Sequence, residues 1–226
     1  MTDIEKNYQA LQRRIQSSLA LTGQEESDFT IVAVSKKKSL ADIETAYNLG
    51  LDNFGENFVQ EAIKKIKAFK HKTTWHFIGS IQSNKAKPIS ENFDWVHTIT
   101  RYSIAEKLDK HRPKSLPPLH VCIQIQLHQD DSRNSLPINQ LFAMAKKIET
   151  LPNLKLRGLM GMTRFGASEE ERHQSYRTME MASHTLKDNG FEIDTLSMGM
   201  SDDLEIAIHN HANMIRIGTA LFGPRQ

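Results

Sequence analysis

The chain has little of what staples, spans or steers a protein. Among its 226 residues there is one cysteine, Cys122, so no intrachain disulfide can form. Cys122 lies in the apolar stretch 121–127, where a small core residue is the expected role. No apolar run approaches the roughly 20 residues that cross a bilayer. Neither sign of charge dominates. The 29 Lys and Arg stand against 27 Asp and Glu, a net charge of +2, which gives no basis for nucleic-acid or membrane partners. The 10 His form no HxxxH pair, and His209 and His211 are two apart at an expected helix end, which is poor metal geometry. No metal site is expected. The first residues, Met1 to Glu5, are polar and acidic, unlike a signal peptide, so a cytoplasmic setting is expected.

What the chain does have is alternation. Hydrophobic residues make up 38% and charged residues 25%, enough to bury a core and stay soluble. Ile4, Tyr8, Leu11, Ile15 and Leu19 form a helical stripe framed by a Thr2–Glu5 capping box. Short apolar runs then recur at 31–34, 52–54, 75–78, 95–99, 119–125, 156–160, 195–198 and 214–217. Helix-like segments separate several of them. Ser39 and Asp42 open one that stops at Gly50; another spans 58–69; a third follows Pro137 over 141–148; Ser168 and Glu171 open one that stops at Asn189-Gly190. Asp202 and Glu205 open a short one. Runs alternating with helices predict a parallel sheet covered on both faces. Eight such units in this length fit a (β/α)8 TIM barrel with an extra leading helix, one domain over residues 1–226. A doubly wound open sheet is the alternative. It usually carries a glycine-rich phosphate turn after its first strand, and Ser35-Lys36-Lys37-Lys38-Ser39 has no glycine.

Barrels place their chemistry at the C-terminal ends of strands. The first run ends in Lys36. Desolvation there disfavours an ammonium and favours a nucleophilic amine, the group that forms a Schiff base with an aldehyde. A solvated lysine after a strand is the plain alternative. The second run ends in Gly55-Glu56-Asn57. The third holds His76, read either as a core histidine or as a site residue. The seventh and eighth run into Ser201 and into Gly218-Thr219, small residues whose backbone and hydroxyls can cradle a phosphate; ordinary tight turns are the other reading. The polar segment 128–135 lies on the same side of such a barrel.

Five stretches together carry a resemblance: Ala33-Val34-Ser35-Lys36; Phe54-Gly55-Glu56-Asn57-Phe58-Val59-Gln60-Glu61; Trp75-His76-Phe77-Ile78-Gly79 with Gln82-Ser83-Asn84-Lys85; Ser197-Met198-Gly199-Met200-Ser201; and Arg216-Ile217-Gly218-Thr219. The sequence resembles the pyridoxal phosphate homeostasis protein family, single-domain relatives of the alanine racemase barrel domain. The resemblance implies pyridoxal 5′-phosphate as cofactor, held as a Schiff base on Lys36. It implies phosphate binding by Ser201, Gly218 and Thr219, and Arg216 at the pyridine nitrogen. It places Asn57 and His76 close to the cofactor. Two departures stand out. Arg133-Asn134-Ser135 replaces a Lys-x-Gly pattern, and Lys37-Lys38-Ser39-Leu40 replaces the tyrosine and glycines that follow the lysine of alanine racemases.

Three functions are weighed on this footing. The first is a non-catalytic cofactor carrier, a monomer whose partners are pyridoxal phosphate and apo forms of the enzymes that use it. The second is a pyridoxal phosphate enzyme acting on amino acids, such as a racemase. The third is a Schiff-base aldolase on a phosphosugar, which would be colourless when pure. An arginine can only donate to the ring nitrogen, which leaves the ring a weaker electron sink. One barrel also takes up the whole length, so no second domain is expected to supply an opposing base. Both points favour the carrier.

Overall fold

The computed structural model describes residues 2–128 and 135–224. Helix α1 (Asp3–Thr22) starts where the sequence predicts it. The Thr2 hydroxyl accepts from the Glu5 N–H, the Glu5 carboxylate accepts from the Thr2 N–H, and Gly23 closes the helix at φ 68. Its buried stripe, Ile4, Leu11, Ile15 and Leu19, packs on helices α8 (Leu204–His209) and α9 (Thr219–Phe222).

Eight strands follow: β1 (Thr30–Val34), β2 (Asn53–Glu56), β3 (Thr74–Phe77), β4 (Trp95–Ile99), β5 (Leu119–Gln124), β6 (Leu154–Met160), β7 (Thr195–Ser197) and β8 (Met214–Ile217). All pair in parallel and in order, and β8 returns to β1 through Thr30↔Met214 and Val32↔Arg216. The closed barrel removes the open-sheet alternative. Its edges pair completely, which a chain of short β-branched runs needs in order to satisfy its backbone.

The predicted helices appear as α2 (Leu40–Asn48), α3 (Val59–Ala68), α6 (Leu141–Glu149) and α7 (Glu169–Asp188). Two more, α4 (Ala86–Asn92) and α5 (Tyr102–His111), have no side-chain cap to announce them. Pro88 fits the first turn of α4, where an N–H has no partner anyway. The start expected at Asp202 is displaced. Asp203 occupies the cap position of α8 without capping it, because its carboxylate turns to the Met200 N–H instead.

Residues alternate between two cores. Outward side chains meet the helices, while Val32, Trp95, Cys122, Met160 and Met214 fill the barrel. Cys122 is the small core residue expected, its thiol pushed up to about 12 by burial. At Gly158 a Cβ would stand 1.8 Å from the Thr195 carbonyl oxygen, so only glycine lets β6 lie against β7. Gly158→Ala should therefore cost about 3 kcal/mol or more, as overpacking does. Gly166→Ala, at φ 75 with open space around it, should cost only about 1–2 kcal/mol. Chemical denaturation of both variants checks the difference.

Candidate functional site

Lys36 is half-buried in the turn after β1. β1 ends at Val34, and the turn from Ser35 to Lys38, closed by the Lys38 N–H on the Ser35 carbonyl, carries Lys36. Lys36 also lines an open groove of about 700 Å³ between the starts of α1 and α2 and residues 222–224. The turn is held from outside the strands. Lys65 of α3, itself buried, donates to the Ser35 carbonyl at 2.7 Å, to Glu56 at 2.8 Å and to Glu61 at 2.6 Å. Glu56 also accepts from the Ser35 hydroxyl at 2.7 Å, and Glu61 accepts from the Lys37 N–H. Lys37 sits at φ 60, a conformation a lysine rarely adopts, so this carboxylate bond fixes a strained turn beside Lys36. Burial pushes the Glu56 carboxyl up, and its bonds to Lys65 and Ser35 work against that shift.

Asn57 follows β2 on the inward row. Its Oδ1 is buried without a hydrogen-bond partner. Gly79 keeps Asn57 in place: a Cβ there would lie 2.2 Å from the Asn57 carbonyl oxygen.

The ends of β7 and β8 meet. Ser201 Oγ accepts from the Ala220 N–H at 3.1 Å, which brings Ser201 to the Gly218-Thr219 turn. A hydroxyl that accepts still has its own proton to donate. The Ser201 loop is braced from two sides. Arg14 of α1 donates to the Ser201 carbonyl and pairs with Glu205 at 2.6 Å. Asp203 accepts from the Met200 N–H, the Thr163 hydroxyl and the Tyr176 hydroxyl. Burial and Asp203 push the Tyr176 phenol up, so it stays a donor.

Arg216 is buried inside the barrel and donates to Ser197 Oγ at 2.8 Å and to the Gly161 carbonyl at 3.0 Å. Among the described residues no carboxylate pairs with it, and burial works against its charge. A buried cation in this state suits a ligand that brings a lone pair or negative charge.

His76 does not reach the mouth. It lies at the level of Gly55 and Trp95, stacked on the indole at 5.5 Å, and is fully buried. It bonds to His97 and to Asn53 at the start of β2. Sequence reading named no role for His97, Ser197, Lys65 or Asp203. The signal for His97 was present: it stands two residues after Trp95 on one strand and therefore shares its inward face. The 128–135 segment was a candidate as well; residues 129–134 lie outside the described residues. No group of three or more His, Cys, Asp or Glu among the described residues could hold a metal, and no helix among them is long and apolar enough to cross a membrane.

The sequence profile of the family described as alanine racemase, N-terminal domain, matches residues 3–226. A curated relative from Pseudomonas aeruginosa, named pyridoxal phosphate homeostasis protein, is 42% identical over 226 residues that cover 100% of this chain and 97% of its own. The Escherichia coli protein of the same name is 41% identical over 229 residues, with 100% and 98% covered. PipY of Synechococcus elongatus, solved with PLP bound, superposes at a TM-score of 0.83 and 33% identity over 93% of this chain and 99% of PipY. An alanine racemase of Clostridium difficile shares the fold at a TM-score of 0.78 and 15% identity, and this chain covers 57% of it.

The buried histidines give this site a pH signature. Burial, then repulsion from His120, holds His76 down at about 3 against an ordinary 6.5. Burial, then His76 and Arg216, holds His97 well below 6.5. The unfolded chain therefore binds more protons than the folded one below pH 6.5, and stability falls as pH drops through that window. The slope should reach about 1.4 kcal/mol per pH unit for each histidine. Urea unfolding of the ligand-free protein at a series of pH values checks this. His97→Gln should flatten the acid limb by one histidine's share, and an unchanged slope would contradict the assignment.

Proposed function

We propose a cofactor-holding function from one premise: this chain belongs to the pyridoxal phosphate homeostasis protein family, within the alanine racemase N-terminal domain fold. The protein binds pyridoxal 5′-phosphate, keeps it on Lys36 and hands it to apo forms of the enzymes that use it. The observation that carries the reading is Arg216. A buried guanidinium with no carboxylate partner among the described residues, one strand from the Lys36 strand, suits a ligand of the cofactor's kind.

The residues fit the group. When bound, the cofactor supplies an aldehyde that condenses reversibly with an amine. Lys36, in the turn after β1, offers that amine. Ser201 offers a hydroxyl proton, and Gly218 and Thr219 offer a turn open to a phosphate. Arg216 offers N–H donors to the ring nitrogen and cannot give up a proton there. Asn57 Oδ1 offers an acceptor with no partner of its own. His76 supports the site from below.

The same reading makes the protein non-catalytic. The donor-only arginine supports this, and so does Lys37-Lys38-Ser39 in place of the racemase tyrosine. It is further read as a cytoplasmic monomer, with residues 1–226 acting as one unit.

Borohydride treatment of the yellow protein should fix the cofactor's mass to the peptide holding Lys36. Label on Lys37, Lys38 or Lys85 instead would sink the assignment. Lys36→Ala should keep the fold and lose the colour. Ser201→Ala should cost about 1.5–3 kcal/mol of cofactor affinity, the weight of a charge-assisted bond. Incubation with an apo-enzyme should restore its activity, while amino-acid racemisation stays at the level of free pyridoxal phosphate. Robust racemisation lost in Lys36→Ala would favour the enzyme instead.

A further inference from the structure

We propose that Asn53, His76, His97 and Ser197 form a one-directional hydrogen-bonded chain that sets the orientation of the Arg216 guanidinium, so that the closed end of the barrel positions a residue at its open end. The links are short and continuous. Arg216 Nη1 lies 2.8 Å from Ser197 Oγ. Ser197 Oγ lies 2.8 Å from His97 Nδ1. His97 Nε2 lies 2.9 Å from His76 Nδ1. His76 Nε2 lies 2.8 Å from Asn53 Oδ1. Asn53 Nδ2 donates to Asp52 at 2.7 Å, which turns the amide oxygen inward.

The direction follows from what each end can do. An amide oxygen only accepts, so His76 Nε2 carries the proton. A neutral His76 then has an acceptor at Nδ1, and His97 Nε2 must donate to it. A neutral His97 in turn has an acceptor at Nδ1, and the Ser197 hydroxyl donates to it. Ser197 Oγ is left as an acceptor for Arg216. Both histidines are fully buried with Arg216 beyond them, so neutrality is the state burial favours. An arginine cannot release a proton and an amide oxygen cannot supply one, so the chain does not conduct protons. Its work is orientation. Reversing it would aim His97 Nδ1–H and Arg216 at the same oxygen and deprive the Ser197 proton of its acceptor. The guanidinium would lose one of its two anchors.

The orientation of Arg216 stands on geometry alone; its consequence for pyridoxal phosphate rests on the function proposed above. The test therefore reads both states. In the ligand-free protein labelled with 15N-histidine and 15N-arginine, both His76 and His97 should be neutral with the proton on Nε2. Asn53→Leu, at a half-buried position far from the mouth, should scramble both tautomers and move the Arg216 side-chain resonance. Asn53→Asp, which keeps an acceptor oxygen, should restore both. In the loaded protein, Asn53→Leu should weaken pyridoxal phosphate roughly three- to tenfold, the share of one hydrogen bond, and shift the absorption band of the bound cofactor. Either histidine protonated on Nδ1, or an Arg216 resonance unmoved in Asn53→Leu, overturns the proposal. If wild-type protein takes up no pyridoxal phosphate, the function fails and the ligand-free resonances still judge the chain.

Discussion

A guanidinium inside a barrel must have its N–H groups met and its charge tolerated in a place with little water. Arg216 meets the first demand with a hydroxyl and a carbonyl, and leaves the second open. Much of the barrel's interior answers to that. Burial opposes a charge on both histidines there, with His120 adding to it at His76, and His76 and Arg216 adding to it at His97. Ser197 accepts rather than donates toward the arginine. The strand that carries Arg216 is paired with β1, and Arg216 stands against Val32, deeper in the barrel than the turn that holds Lys36.

The carboxylates near the mouth follow the complementary rule. Glu56 lies next to the inward Gly55 and Asn57 and so points outward, to Lys65. Glu61 is taken by Lys65 and by the Lys37 backbone. Asp203 is taken by one N–H and two hydroxyls, and Glu205 by Arg14. Glu61 and Asp203 hold backbone N–H groups directly, while Glu56 and Glu205 act on backbone carbonyls through Lys65 and Arg14. Among the described residues none of these four carboxylates pairs with Arg216.

The fold was legible because its signals are local. Strand runs, capping boxes at Thr2, Ser39 and Ser168, and glycines past helix ends depend on neighbours a few residues away. Helices α4 and α5 escaped, while α3 and α6, which also lack side-chain caps, were read from their apolar faces, and the start expected at Asp202 falls at Asp203. Lys36 and Ser201 could be picked out as candidates because each follows the end of a strand, whereas Arg216 stood out only through the resemblance of its motif. The site was not legible where function depends on register. His76 looked like a lone histidine because its partner His97 is 21 residues away. Only the alignment of β3 with β4, His76 against Trp95, brings them together.

That register has a consequence for how the protein can vary. Arg216 is anchored to one strand residue, Ser197, and to the carbonyl of Gly161, the first residue after β6. Strands cannot slip, because a one-residue shift would turn His76, His97 and Ser197 out of the barrel together. It would also expose Arg216 to an unpaired interior. The same alternation that makes the core waterproof therefore fixes the polar chain within it. Rigidity of the strands and reactivity at their ends are one property of the closed barrel, expressed at two depths.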